Sequence, residues 1–413
     1  MKKSTVYIVG AGFSGLTLAF RLLQKGFKVH LYEKNSTVGG LIQTLPLGSD
    51  FAESAAPSIT RTIAVKRLCD DLGVDFILPK KVSKKRWIFR GRPHKWPLGI
   101  FETIVLIYCF ISCRIKKQLR PLSNETLNQW GTRVLGPAAS HYLLETALQG
   151  IYAGDGQRLS ASLLLSQLFN PNREKFKGVL GFKNGMGSLM KALENKVVSL
   201  GGKLHFSATL NLTEVELLQS KSPGPLIIAT SADAAALFLE TRFETLSRLL
   251  RKIEMIPLIA ATVFFPEEKN LTHGFGCLIP RNLELNVLGV LINSDIFHKP
   301  EGLRSETWII GGATNKNFIN HTDQEVVEII LKERLQIFKS HAKIQSIKIV
   351  RWPKALPHYD TELEKLLPLL ESAEKVLETR QIYLHGNYLG ALGLSKILDR
   401  TENLCKELDS FYA

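Results

Sequence analysis

Residues 5–15 read Thr5-Val6-Tyr7-Ile8-Val9-Gly10-Ala11-Gly12-Phe13-Ser14-Gly15. A short β-branched run breaks into glycines spaced G-x-G-x-x-G, and an apolar-periodic stretch from Leu16 to Leu23 follows, ending at Gly26. Strand, glycine turn and helix in immediate succession predict the opening of a parallel α/β sheet. In such a turn the first glycine permits the tight reversal and the second lets backbone approach a pyrophosphate. The third lets helix and strand close together, and the helix N-terminus faces the anion. Lys28 to Tyr32 alternates as a second strand, and Glu33 ends it at the spacing of an acid that hydrogen-bonds a ribose hydroxyl. A glycine turn without a ligand is the bland alternative. The shared register of Gly10, Gly12, Gly15, Gly26, Val29 and Glu33 favours a dinucleotide site.

Three other stretches look like further parts of that sheet. Lys203 to Thr213 reads as strand material, and Pro225 to Ala229 reads as a buried strand followed by a helix at Ala232 to Leu237. Gln381 to Leu384 is a short strand running into Gly386, with a helix from Leu394. The expected fold is therefore α/β, with a Rossmann-type domain assembled from the discontinuous segments 1–80, 203–243 and 377–413. Segments 81–99, 185–202 and 244–376 are expected to form an α+β substrate-binding domain. Its alternating runs Leu258 to Phe265 and Thr307 to Ile310 predict an antiparallel sheet. Residues 100–184 are expected to form a helical, membrane-associated insertion.

Over 413 residues the hydrophobic share of 45% and charged share of 22% are ordinary for a globular protein, but the net charge of +15 is not. That charge favours anionic lipid, nucleic acid or a carboxylate-bearing substrate as partner. Nucleic acid is the weakest of these, because no zinc-finger, RNP or basic-zipper pattern accompanies it. Five scattered cysteines (Cys69, Cys109, Cys113, Cys277 and Cys405) form no CxxC pair, which argues against a disulfide framework or structural zinc and fits a reducing compartment. The N-terminus carries no export signal, so a cytoplasmic location is expected.

The longest apolar segment, Gly99 to Cys113, contains Glu102 and falls short of the roughly 20 residues that span a bilayer. Cations flank it: Lys80, Lys81, Lys84, Lys85, Arg86, Arg90, Arg92 and Lys95 before, then Arg114, Lys116, Lys117 and Arg120 after. Such a segment suits peripheral insertion into an anionic cytoplasmic leaflet, with a buried core helix as the alternative.

Beyond Glu33 come five residues, then Gly39-Gly40 and Thr44. This continuation resembles the FAD-binding fold of the amine oxidase and protoporphyrinogen oxidase superfamily, although Leu41 stands where many relatives carry a basic residue. Four further stretches resemble the oxygen-using protoporphyrinogen oxidases: Gln149 to Asp155 with Leu159-Ser160, Phe182 to Leu189, Arg351 to Tyr359, and Gly386 to Gly393. Asn184, Ala391 and Lys396 depart from that family's pattern.

The resemblance implies non-covalent FAD held by Gly10, Ala11, Gly12, Phe13, Ser14, Gly15, Glu33, Lys34, Gly39, Gly40, Thr44, Ala56, Leu210, Leu392, Gly393 and Leu394. It implies oxidation of protoporphyrinogen IX to protoporphyrin IX, with molecular oxygen as acceptor and hydrogen peroxide as product. The flavin carries the chemistry, so no catalytic side chain and no metal are expected. Arg86 matches the position of an arginine set against a substrate propionate, where a guanidinium pairs bidentately; a solvated cation is the alternative. Met186 is expected to face the substrate, whereas His94 and Trp96 shape the adjoining loop. His358 and Tyr359 lie near the flavin or are structural. Coproporphyrinogen III oxidation, another flavin-dependent desaturase or amine oxidase, a membrane-associated flavoprotein scaffold without turnover, and a homodimer all stay open.

Overall fold

The computed structural model describes residues 4–48, 50–281, 283–297, 301–391 and 393–412. Among these, five parallel strands form one sheet in the spatial order Ile382–Leu384, Leu226–Ile228, Thr5–Val9, Lys28–Tyr32 and Lys203–His205. The Thr5–Val9 strand is buried along almost its whole length, as a run of β-branched and aromatic residues covered on both faces should be. The helix Phe13–Gln24 packs on it with ten buried residues, among them Arg21, which is paired with Asp71 at 2.5 Å and Glu402 at 2.8 Å. Glu402 belongs to the helix Leu394–Tyr412, whose Thr401 hydroxyl also meets that of Thr17 at 3.2 Å. The two ends of the chain thus close the same core.

Strand material was expected from Lys203 to Thr213, but the strand stops at His205 and a helix begins at Leu212. Asn211 accepts from the Glu214 amide while the Glu214 carboxylate accepts from the Asn211 amide, a reciprocal cap that starts a helix there. Segment 185–202 also differs from expectation. Its helix Gly187–Ser199 places Leu189, Met190, Leu193 and Val197 in the core of the parallel sheet rather than with the second sheet.

The second sheet runs Ser346–Pro357, Met255–Pro266, Leu303–Gly311, Val287–Leu291, Gly276–Leu278, Arg86–Arg90, Arg92–His94. All its pairs are antiparallel except the one between Gly276–Leu278 and Arg86–Arg90. One face packs Ile259, Ala261, Val263, Trp308 and Ile310 against the helix Asp323–Phe338. The other face packs Phe264 and Leu303 against Leu47 and Ala52 of the 44–53 hairpin.

The segment 100–184 is mainly helical, ending in a short strand Val179–Leu180 that pairs with Ile59–Thr60. Its helix Ile100–Ile115 leaves Ile100, Phe101 and Tyr108 exposed at 85%, 76% and 71%, and Cys113 alone is buried on it. A buried core helix is therefore ruled out for this segment. Glu102, the charge within it, is held by Arg90 through two hydrogen bonds of 2.7 and 3.0 Å. No described helix is long and apolar enough to cross a membrane.

Candidate functional site

The glycine turn has the shape a pyrophosphate requires. Gly10 adopts φ +105°, and a side chain there would sit 2.6 Å from the Ala229 carbonyl oxygen. A Cβ on Gly15 would overlap the Gly10 carbonyl oxygen, so helix and strand touch at that point. A Cβ on Gly12 would meet no protein atom within 4 Å. The absence of a side chain there leaves that space open. Gly12 is also the N-cap of Phe13–Gln24, with no side chain capping the helix, which leaves first-turn amides for an anion. Phe13 is buried, and Ser14 is half-buried beside the turn.

Glu33 is buried, accepting from the Ala11 amide at 2.8 Å and the Asn35 amide at 2.9 Å. Its carboxylate thus fixes the turn and keeps further lone pairs for a ribose. Lys34 beside it is exposed. The Gly39 amide donates to the Ala11 carbonyl at 2.9 Å, bringing Gly39-Gly40 over the turn. The Ala208 amide donates to the Glu33 carbonyl, and Leu210, two residues on, packs partly buried. Gly393 and Leu394 open the last helix against the same core. Leu392 lies outside the described residues.

Thr44 is engaged elsewhere than expected. Its hydroxyl donates to Glu53 at 2.9 Å and accepts from the Gly187 amide at 2.8 Å, while the Met186 amide donates to Glu53 at 2.7 Å. The Asp50–Glu53 strand thereby clamps the 185–187 turn. Met186, expected to face substrate, is fully buried in the core beside Leu189 and Phe182, so its side chain meets no open cleft. Burial pushes the Glu53 carboxyl up to about 7 despite these hydrogen bonds.

Between that strand and the second sheet lies a cleft lined by Asp50, Phe51, Glu53, Ala55, Pro57, Phe182, Asn293, Ile296, Phe297, Ser305 and Thr307. Ala56, on the loop expected against the cofactor, is exposed between two lining residues. Glu53 and Asn293 escape a motif reading: one ends a strand and the other lies just beyond one, and only tertiary packing brings them to one cleft.

Arg86 does not line this cleft, but it shares the sheet face. The pairs Arg86–Gly276, Gly276–Leu291 and Leu291–Thr307 form one cross-strand row, and side chains in a row project to the same side. Arg86 therefore stands three strands from Thr307, roughly 14 Å at about 4.8 Å per strand. Its guanidinium lies over the Phe275 ring at 4.7 Å and no carboxylate pairs with it among the described residues.

His358 is fully buried, its Nε2 accepting from the Asp155 amide at 3.2 Å and its Nδ1 lying 3.2 Å from Asp360. Tyr359 donates to the Asn387 carbonyl. These two residues join the 149–155, 351–359 and 386–393 stretches, a structural task. Glu254, His358 and Asp360 form a grouping of metal-like spacing, but Arg158 and Lys316 already pair with its carboxylates. Trp96 donates to Thr103 and is half-exposed, shaping the loop before the exposed helix.

The family model of flavin-containing amine oxidoreductases matches residues 13–392. The chain belongs to that family. It is accordingly a flavin-dependent oxidoreductase. Protoporphyrinogen oxidase 2 of Arabidopsis thaliana is 23% identical, over 95% of this chain and 91% of that one. Coproporphyrinogen III oxidase of Bacillus subtilis is 22% identical, over 96% of both. The crystal structure of cyclohexylamine oxidase from Brevibacterium oxydans superposes with a TM-score of 0.73 at 14% identity, covering 99% of each chain. Proteins similar to this chain thus carry the names of very different substrates, and the fold alone does not choose among them.

Proposed function

We propose that this flavin-dependent oxidoreductase oxidises protoporphyrinogen IX to protoporphyrin IX, with FAD bound non-covalently, molecular oxygen as acceptor and hydrogen peroxide as product. The observation that carries the reading is the shared sheet face: a cleft with phenylalanine walls at one end and, at the other, Arg86, which no carboxylate pairs among the described residues. A porphyrinogen needs that combination, being a broad apolar ring with anionic propionates. An amine is the poorer match, because the far end of that sheet face is cationic. A bound flavin supplies the two-electron acceptor; the chain's own residues bind and orient the macrocycle and exclude water. Coproporphyrinogen III, with more carboxylates, is the second reading, favoured by the likeness to the Bacillus relative over almost its whole length.

The helix Ile100–Ile115 supports peripheral attachment to the cytoplasmic membrane face. Its exposed side chains are apolar, and Arg92, Lys95, Arg114, Lys116, Lys117 and Arg120 around it are exposed cations suited to an anionic leaflet. The decisive experiment is aerobic turnover of each porphyrinogen by the purified protein, with porphyrin fluorescence and peroxide measured together. Comparable kcat/KM on the two would leave the macrocycle assignment standing and remove the choice between them. Oxidation of neither would overturn the reading.

A further inference from the structure

Asn293 opens the short helix Asn293–Ile296, one residue beyond the Val287–Leu291 strand, and lines the cleft. Its amide nitrogen donates to Ser305 Oγ at 3.1 Å and Thr307 Oγ1 at 2.8 Å, and the Thr307 hydroxyl meets that of Thr262 at 3.0 Å. Both amide hydrogens are thereby used. The side-chain oxygen Oδ1 is shielded from solvent and accepts no hydrogen bond among the described residues. Buried acceptors are normally satisfied, and one left over in a binding cleft marks where a ligand donor belongs.

The surroundings specify that donor. Phe51, Phe182, Ile296 and Phe297 give the cleft apolar walls, while its other polar groups include the carboxyls of Asp50 and Glu53. A ligand carboxylate is repelled from such a lining, and an N–H is drawn to it. We propose that Asn293 Oδ1 accepts a hydrogen bond from the pyrrole N–H groups of the reduced macrocycle, centring the ring on the cleft and turning its carboxylates toward the Arg86 end of the sheet. The assignment rests on the porphyrinogen reading and adds a consequence to it. All four nitrogens of a porphyrinogen carry hydrogen, whereas the aromatic product keeps two N–H groups and two bare acceptor nitrogens. A carbonyl beneath the ring centre therefore favours substrate over product.

The test uses full-length, flavin-loaded protein reduced with dithionite, which cannot turn the ligand over. Protoporphyrin IX is titrated by fluorescence, and protoporphyrinogen IX is measured by competition under anaerobic conditions. The unmodified protein should prefer the porphyrinogen. Asn293→Leu should weaken porphyrinogen binding about ten-fold, the loss expected for one neutral hydrogen bond, while porphyrin binding holds or improves. Asn293→Asp, which keeps an acceptor, should retain the preference. Flavin content and Tm report folding; should Asn293→Leu not fold, Asn293→Ser, with its shorter reach, should narrow the ratio likewise. An unchanged ratio in Asn293→Leu overturns the assignment, as does an Asn293→Asp that loses as much as Asn293→Leu. If the unmodified protein neither binds nor oxidises a porphyrinogen, the parent reading fails and this one with it. Binding by the unmodified protein with ratios indifferent to position 293 removes this one alone.

Discussion

Trp352 donates its indole N–H to the carbonyl of Ser54 at 2.6 Å, joining two residues 298 positions apart. The bond runs from the edge strand of the second sheet to the loop that carries Ala55 and Pro57 into the cleft. It ties the second sheet to that loop. Trp352→Phe keeps the ring and drops this bond, leaving the carbonyl to find water. Stability should fall by about 1 kcal/mol, and the visible spectrum of bound flavin should shift as the loop loosens. A variant whose Tm and flavin spectrum both match the unmodified protein would show that the bond holds nothing in place.

Gly12→Val separates cofactor binding from folding. The protein itself leaves room for the added side chain, so purified variant should be folded, colourless and close in Tm to flavin-stripped protein. Retention of full flavin content would remove the turn as the pyrophosphate site. Gly15→Val is the contrast: its Cβ would strike the Gly10 carbonyl, and it should fail to fold.

Ile107 is 52% exposed on the apolar helix, and an exposed substitution away from other features changes stability by roughly 0.5 kcal/mol or less. Ile107→Asp should therefore leave flavin content and Tm intact while reducing flotation with anionic liposomes. High salt should release the unmodified protein only in part, since apolar insertion is not screened. Unaltered flotation of the variant would mean this helix is not the anchor.

Arg86→Ala should lower kcat/KM for protoporphyrinogen IX roughly 10- to 150-fold, the equivalent of about 1.5–3 kcal/mol for a charge-assisted hydrogen bond. The flavin spectrum should not change. Arg86→Lys should recover part of the loss, because a point charge cannot reproduce the planar fork. The esterified substrate is the control: equal losses on acid and ester would mean that Arg86 does not read a propionate.

Glu53 gives the stability a pH dependence of known sign. Its folded value, raised to about 7 by burial, lies above the unfolded value of 4.5. The stability contributed by the protonated form is complete below about pH 4.5 and is lost as pH rises through 7. Allowing for partial exposure, the loss is about 2 kcal/mol. Urea midpoints for Glu53→Gln should fall less between pH 5 and pH 8 than those of the unmodified protein. Parallel curves would place the titration elsewhere.

The sequence was most legible where chemistry is local. The Gly10–Gly15 turn, the Glu33 that follows and the strands near 226 and 382 all appear where their patterns put them, because turn geometry and burial act over a few residues. The end of the strand at His205 was missed, since a cap at Asn211 competes with strand propensity. Met186 was misplaced because a glycine-flanked motif says nothing about which way its side chain turns. Asn293 and Glu53 were invisible for another reason: their meaning lies in a pairing across two sheets, which no single stretch encodes.

The interleaving of the parallel sheet has a consequence for synthesis. Its central strand is made first, yet the strand Ile382–Leu384 at its edge and the helix that buttresses the glycine turn are made last. At the roughly 5–20 residues per second of a ribosome, the N-terminal turn waits on the order of half a minute for its partners, with an unshielded apolar face. On the proposed cofactor site, flavin would have no complete seat before then. Every chain stalled short of its last helix should emerge without pigment and fall to proteases.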